Sequence, residues 1–160
     1  MQDLEKITTK TAAVILETIQ GGAGFIVPKN NYLKKVKKRC EEVGALLILD
    51  EIQTGIGRTG KFCGFEHHEI TPDIIITGKG LGGGMPIGAF IAKKNLMDLL
   101  KDKPSLGHIT TFGGHPVIAS AGVATLNTIQ NSNLIKETLE KEVLIRNLLT
   151  HPKIKEIRGK

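Results

Sequence analysis

Two residues of opposite charge stand at the ends of apolar runs, where they could do chemistry together. Asp50 closes Leu46-Leu47-Ile48-Leu49-Asp50, and Lys79, 29 residues later, follows Ile74-Ile75-Ile76-Thr77-Gly78. Short leucine or β-branched runs of this kind mark strands buried on both faces of a parallel sheet. Ligands of such sheets bind beyond the carboxyl ends of the strands, so both side chains are expected to face one crevice, with Asp50 buried and ionised. A primary amine held there can condense with an aldehyde, and a carboxylate can keep a ring nitrogen protonated. These are the two demands of pyridoxal phosphate (PLP), whose protonated ring acts as an electron sink. Lys79 would hold the cofactor and then carry a proton between the substrate's α-carbon and the cofactor as general base and acid. Gly78 and Gly80 leave space for a planar ring beside the backbone. Taken singly, each residue has a plainer reading: a surface lysine in a glycine loop, and a turn or helix-capping aspartate.

The elements that must position this pair alternate between strand and helix, which argues for an α/β fold. Residues 11–17 read as a strand, followed by a glycine loop that stops at Pro28. Residues 31–43 form an amphipathic helix with Tyr32, Leu33, Val36, Cys40 and Val43 on its inner face. Strands are expected at 45–50, 73–77 and 87–92, with a glycine-punctuated loop over 53–71 of the sort that builds sites. A short helix at 96–100 and a loop through Pro104 and Gly107 lead to helices at 117–129 and 134–149, the latter amphipathic. There is no internal repeat and no low-complexity tract.

The 160 residues are long enough for one domain with a core, and the balance of 40% hydrophobic and 24% charged residues is that of an ordinary soluble chain. No apolar run approaches the roughly 20 residues that span a bilayer, so no membrane association is expected. The segment Met1-Gln2-Asp3-Leu4-Glu5-Lys6 has no secretory apolar core, and a cytoplasmic setting is expected. Cys40 and Cys63 fit neither a metal nor a disulfide spacing and read as reduced bystanders. The net charge is +6. Much of it lies in Lys34-Lys35-Val36-Lys37-Lys38-Arg39, which reads as the solvated face of a helix. Without interleaved aromatics to stack on bases, no nucleic-acid partner is expected.

Four segments carry a family resemblance. Asp50-Glu51-Ile52-Gln53-Thr54-Gly55-Ile56-Gly57-Arg58-Thr59-Gly60 resembles the aspartate signature of the class III PLP-dependent aminotransferases. Gly78-Lys79-Gly80-Leu81-Gly82-Gly83-Gly84-Met85-Pro86-Ile87-Gly88-Ala89 is similar to their lysine signature. Thr110-Thr111-Phe112-Gly113-Gly114-His115-Pro116 resembles their threonine segment, and Leu16-Glu17-Thr18-Ile19-Gln20-Gly21-Gly22 their earlier glutamate-glutamine segment. The four occur in family order along nearly the whole chain.

The resemblance implies part of the large domain of a fold type I PLP-dependent transferase, with a mostly parallel sheet flanked by helices. Residues 1–130 would be the C-terminal part of that domain, and 131–160 the helical lead-in to a C-terminal small domain. It implies transfer of an amino group from an amino acid or ω-amine, of acetylornithine or ornithine type, to a 2-oxo acid. By carry-over, Lys79, Asp50, Gln53 and Thr111 bind the cofactor, Gln53 near its phenolic oxygen. Thr111 would reach the phosphate of a neighbouring subunit's cofactor, hence a homodimer, and Thr110 would line the substrate pocket. A β-bridge or hairpin is the plainer role for the threonine pair, and a backbone-bonded loop amide for Gln53. Gly22 departs from the glutamate common in ornithine-type relatives, and His115 from an asparagine. Family members are longer, so the chain reads as a fragment, with the phosphate loop, a ring-stacking aromatic and the small domain outside it. The competing reading is a catalytically incompetent module for cofactor docking or dimerisation.

Two further patterns are set aside. Gly78-Lys79-Gly80-Leu81-Gly82-Gly83 has dinucleotide-fingerprint spacing, with Asp98 20 residues on, but leads toward a strand instead of opening a helix. Glu66-His67-His68-Glu69 lacks helix-borne metal spacing and reads as a solvent-facing loop, so no metal site is expected.

Overall fold

The computed structural model describes residues 4–102, 105 and 107–160; Pro104 of the expected loop lies outside the described residues. Four strands, β1 (Ala13–Glu17), β2 (Leu46–Asp50), β3 (Ile74–Thr77) and β4 (Ala89–Ala92), form one sheet in the order β1-β2-β3-β4. The first three run parallel and the fourth antiparallel. The sheet is thus mostly parallel, as expected, and β4 closes its edge with the opposite direction.

Register aligns the carboxyl ends. Leu16 pairs with Leu49, Glu17 with Asp50, and Asp50 with Ile76. Whatever leaves these strands therefore leaves side by side at one end of the sheet.

Helix α1 (Tyr32–Val43) crosses from β1 to β2, its inner face set by the 3.6-residue spacing of Leu33, Val36 and Cys40. Gly44, at φ 78°, takes the left-handed conformation that ends the helix, its N–H donating to Cys40 O. The three buried α1 residues pack on Leu47 and Leu49, with Ile7 and Ala45 completing the core.

The sheet is buried on one face, not on both as the apolar runs suggest. Leu47 and Leu49 are fully buried while Ile15, on the opposite face of β1, is 62% exposed. The lysine-rich face of α1 is also less solvated than its composition suggests. Lys37 is pinned by Asp73 at 3.1 Å, and Asp73 also accepts the Leu47 N–H at 2.8 Å, tying the helix to the sheet.

The expected short helix is two single turns, α2 (Lys94–Met97) and α3 (Leu99–Asp102). Helix α4 (Pro116–Gln130) starts on a proline, whose fixed φ suits a first turn, and packs against a 3-10 turn over Lys79–Gly82. The glycine run thus does hold one helical turn, but Gly83, in the left-handed region, ends it before β4. Helix α5 (Leu134–Leu148) lies on the 57–60 loop: a Cβ on Gly57 would come 2.9 Å from Ile135, and one on Gly60 2.6 Å from Leu139. Its remaining apolar residues, among them Val143 and Leu148, stay exposed.

The α1 core sets the stability of the parallel strands. Leu47→Ala is expected to lower the unfolding free energy by about 3 kcal/mol, the usual cost of a buried leucine cavity. Lys35→Ala, on the exposed face of α1, should change it by less than about 0.5 kcal/mol. Urea titration of both variants checks the contrast.

Candidate active site

β2 ends in an acidic pair that points two ways, since successive strand residues face opposite sides. Glu51 is fully buried and its carboxylate accepts four hydrogen bonds. Oε1 takes the Thr18 hydroxyl at 2.6 Å and the Phe65 N–H at 2.8 Å. Oε2 takes the Thr54 hydroxyl at 2.6 Å and the Gly64 N–H at 2.8 Å. The main chain of Glu51 is tied as well: its N–H donates to Ile76 O and its carbonyl accepts the Gly55 N–H, both at 2.8 Å. The turn over 51–55 is therefore closed by backbone and side chain together. A Cβ on Gly55 would lie 2.7 Å from Glu51 O, which leaves no room for a side chain, and one on Gly64 would press on Thr54 Cβ at 3.0 Å and Glu51 Oε2 at 3.1 Å.

Asp50 faces the other way and is half-buried, where the sequence suggested full burial. Its Oδ1 accepts the Ile52 N–H at 2.9 Å, the local turn that aspartates favour. Among the described residues Oδ2 accepts no hydrogen bond, which leaves one carboxylate oxygen for a ligand.

Gln53 sits inside the 51–55 turn and its Oε1 accepts a close hydrogen bond from Lys79 Nζ. A Cβ on Gly21, in the loop after β1, would be 3.8 Å from Gln53 Cγ. Glu17 holds that loop by accepting the Gly21 N–H at 2.8 Å. The ends of β1, β2 and β3 thus meet around Gln53. Lys79 is exposed and its backbone lies at φ 39°, in the left-handed region. The Thr77 hydroxyl, two residues before it, is the buried side-chain polar atom left without a partner among the described residues.

Thr110 and Thr111 are the other two candidate residues. Both are exposed, and among the described residues no hydrogen bond joins them to Asp50, Gln53 or Lys79. His108 secures their segment to β4 by an edge-on contact with Phe90, ring centroids 5.0 Å apart.

Beyond Gln53 a cavity of about 600 Å³ opens between the 53–59 loop, α5 and residues 157–160. Arg146 closes its far side by donating to Ile157 O at 3.2 Å and Gly159 O at 2.8 Å. Gln53 lines it, but neither Asp50 nor Lys79 does.

The aminotransferase class-III family model matches residues 1–160, and the chain belongs to that family. A putrescine aminotransferase of Pectobacterium atrosepticum is 48% identical over 150 residues, 92% of this chain and 32% of that protein. The solved ornithine aminotransferase of Toxoplasma gondii, with partial occupancy of PLP at its active site, is similar at a TM-score of 0.85 and 38% identity, covering 99% of this chain and 38% of that one. For the acetylornithine aminotransferase of Elizabethkingia anophelis the TM-score is 0.82 at 39% identity, covering 91% and 37%. The chain spans about a third of the length of the curated relative. Homologues in this class are PLP-dependent.

Of the Glu66-His67-His68-Glu69 stretch, expected as a solvent-facing loop, Glu66 and Glu69 are exposed and the two histidines are half-buried. Glu66 to His68 belong to a 3-10 helix over Gly64–His68 that Glu69 caps, held because Phe65 and Gly64 donate to Glu51. No group of three or more metal-ligating side chains occurs among the described residues. Burial, with the Glu51 and Glu66 charges, pushes the Cys63 thiol up to about 12, which keeps it protonated and unreactive. His67 places Nε2 2.9 Å from Thr59 O. Burial lowers His67 below its ordinary value of 6.5, with Lys160 adding to the effect, and burial followed by the His67 charge lowers His68. The unfolded chain therefore binds protons at these rings first. Their contribution to stability is complete above about pH 6.5 and is lost as the pH falls below it toward the lowered folded values. The thermal midpoint should fall between about pH 7.5 and about pH 5.5. The same scan on His67→Gln/His68→Gln should show a shallower fall; an equal fall would remove these two rings as the cause.

Proposed function

We propose that this chain carries the lysine-bearing half of a PLP-dependent aminotransferase site. The observation that supports it most is the placement of Lys79 Nζ: exposed, at the carboxyl end of β3, hydrogen-bonded to Gln53, one strand from Asp50. The donor set fits the cofactor. Lys79 offers an amine for its aldehyde, Asp50 an oxygen without a partner for its ring nitrogen, and Gln53 an amide for its phenolic oxygen. When bound, PLP supplies a ring that draws electrons from the substrate's α-carbon.

In this reading Lys79 Nζ would anchor the cofactor through its aldehyde and, once free of it, would take and return the proton at the substrate's α-carbon. Asp50 would pair with the cofactor's ring nitrogen, and the Ile52 N–H holds its carboxylate in place. Thr111, which is exposed, binds the phosphate of a cofactor held by a second copy of the chain, and Thr110 lines the substrate pocket. The amino donor is an amino acid or ω-amine and the acceptor a 2-oxo acid. Putrescine, ornithine and acetylornithine, from which the relatives take their names, suggest a primary amine on a short aliphatic chain.

Adding PLP to the purified chain should give a visible absorbance band. Borohydride reduction followed by peptide mass spectrometry should place the adduct on Lys79, and Lys79→Ala should abolish both. A folded protein with no adduct at Lys79 would overturn the assignment. Because Lys79 is open to water here, the 160 residues alone should dock the cofactor yet turn over amino donors very slowly; turnover at an ordinary rate of about 10 per second would refute that second expectation.

A further inference from the structure

The proposed function uses Asp50, Gln53 and Lys79 and leaves unexplained a fully buried side chain with four hydrogen bonds, Glu51. Glu51 touches none of those groups with its carboxylate. It takes hydrogen bonds from Thr18 after β1, from Thr54 in the turn, and from Gly64 and Phe65 in the 3-10 helix, all between 2.6 and 2.8 Å. Four donors are what a carboxylate needs to sit without exposed surface. The arrangement grips the 51–55 turn at two points, Glu51 itself and Thr54. Gln53 lies between them, and its side chain emerges toward Lys79.

We propose that Glu51 is a positioning residue: its buried carboxylate fixes the 51–55 turn from behind and so holds the Gln53 amide on the Lys79 amine. Its relevance to catalysis rests on the reading of Lys79 above, but the geometric link from Glu51 to Lys79 does not. Glutamine cannot replace it silently. Each carboxylate oxygen accepts one backbone N–H, from Phe65 or from Gly64, so either orientation of an amide turns an NH2 group on one of those donors. The turn then loses a fixed point, and Gln53 loses its aim.

The test measures how strongly Lys79 is held, using acetic anhydride in place of the cofactor. The protein is acetylated briefly, digested, and the modification of Lys79 is compared by mass spectrometry with that of exposed Lys35. Glu51→Gln should raise the Lys79-to-Lys35 ratio about threefold, the effect of losing one hydrogen bond of ordinary strength, and Gln53→Ala should do the same. Adding Glu51→Gln to Gln53→Ala should raise it no further, because the two act in series. A general loosening of the structure would raise the ratio in both backgrounds. If Glu51→Gln does not fold, Thr54→Val, which removes the grip inside the turn, should raise the ratio and Thr54→Ser should restore it. An unchanged ratio in folded Glu51→Gln or Thr54→Val, or an additive double variant, overturns the proposal. Failure of PLP to form its adduct on the wild-type Lys79 would instead sink the cofactor reading and leave this result standing.

Discussion

A carboxylate with no exposed surface is the constraint around which this chain is arranged. Leaving Glu51 without partners would cost several kcal/mol, so the fold is obliged to bring four donors to it. Those donors come from three places far apart in sequence: Thr18, Thr54 and the Gly64–Phe65 pair. Satisfying them defines where the loop after β1 starts, how β2 ends, and where the 3-10 helix begins. In the long 51–73 connection Glu51 ties the turn to the 3-10 helix, while Phe65 and Ile70 pack on the core and α5 covers the 57–60 loop. Glycine at 55 and 64 suits the same arrangement, since a Cβ at 55 would strike the Glu51 carbonyl and one at 64 would crowd Thr18, Thr54 and the Glu51 carboxylate.

The parallel register turns that local order into a site. Because Glu17, Asp50 and Ile76 lie level, the loops that follow their strands leave from one edge. Asp50 and Glu51 divide the work by facing opposite sides of the sheet, one half-buried and one fully buried. The buried partner makes the half-buried one useful, since a mobile strand end could not present a carboxylate and an amide at fixed places.

Much of this was legible in the sequence, for physical reasons. The four apolar runs gave the strands, the spacing of Leu33, Val36 and Cys40 gave the inner face of α1, and Asp50, Gln53 and Lys79 were marked by position and by resemblance. Glu51 was not. A glutamate beside an aspartate at a strand end looks solvated, and nothing local reveals that donors 33 residues before it and 13 and 14 after it converge on it. The 3-10 turns over Gly64–His68 and Lys79–Gly82 escaped because four or five residues carry no periodicity. The direction of β4 escaped because an apolar run does not encode which way its neighbour points. One-sided burial was also hidden: a run such as Leu46-Leu47-Ile48-Leu49 is apolar on both faces, and α1 covers only the one bearing Leu47 and Leu49.

The backbone at Lys79 carries the last step. A residue with a side chain prefers to avoid the left-handed region, by roughly 1 kcal/mol, and glycine is the usual occupant. Glycine stands on both sides, at 78 and 80, yet the position at φ 39° is lysine. Folding alone would favour glycine there. The strain is held in place because Gly78 is buried against Ile52 and Ile87, while the Lys79–Gly82 turn packs on α4. A conformation that costs stability and is supported from both sides is what a site residue requires when its direction matters more than its comfort. Gln53 supplies the third support, from the far end of the side chain. Lys79 is thus constrained at its backbone by glycine geometry and at its nitrogen by an amide that Glu51 aims, and both constraints converge on the group proposed to do the chemistry.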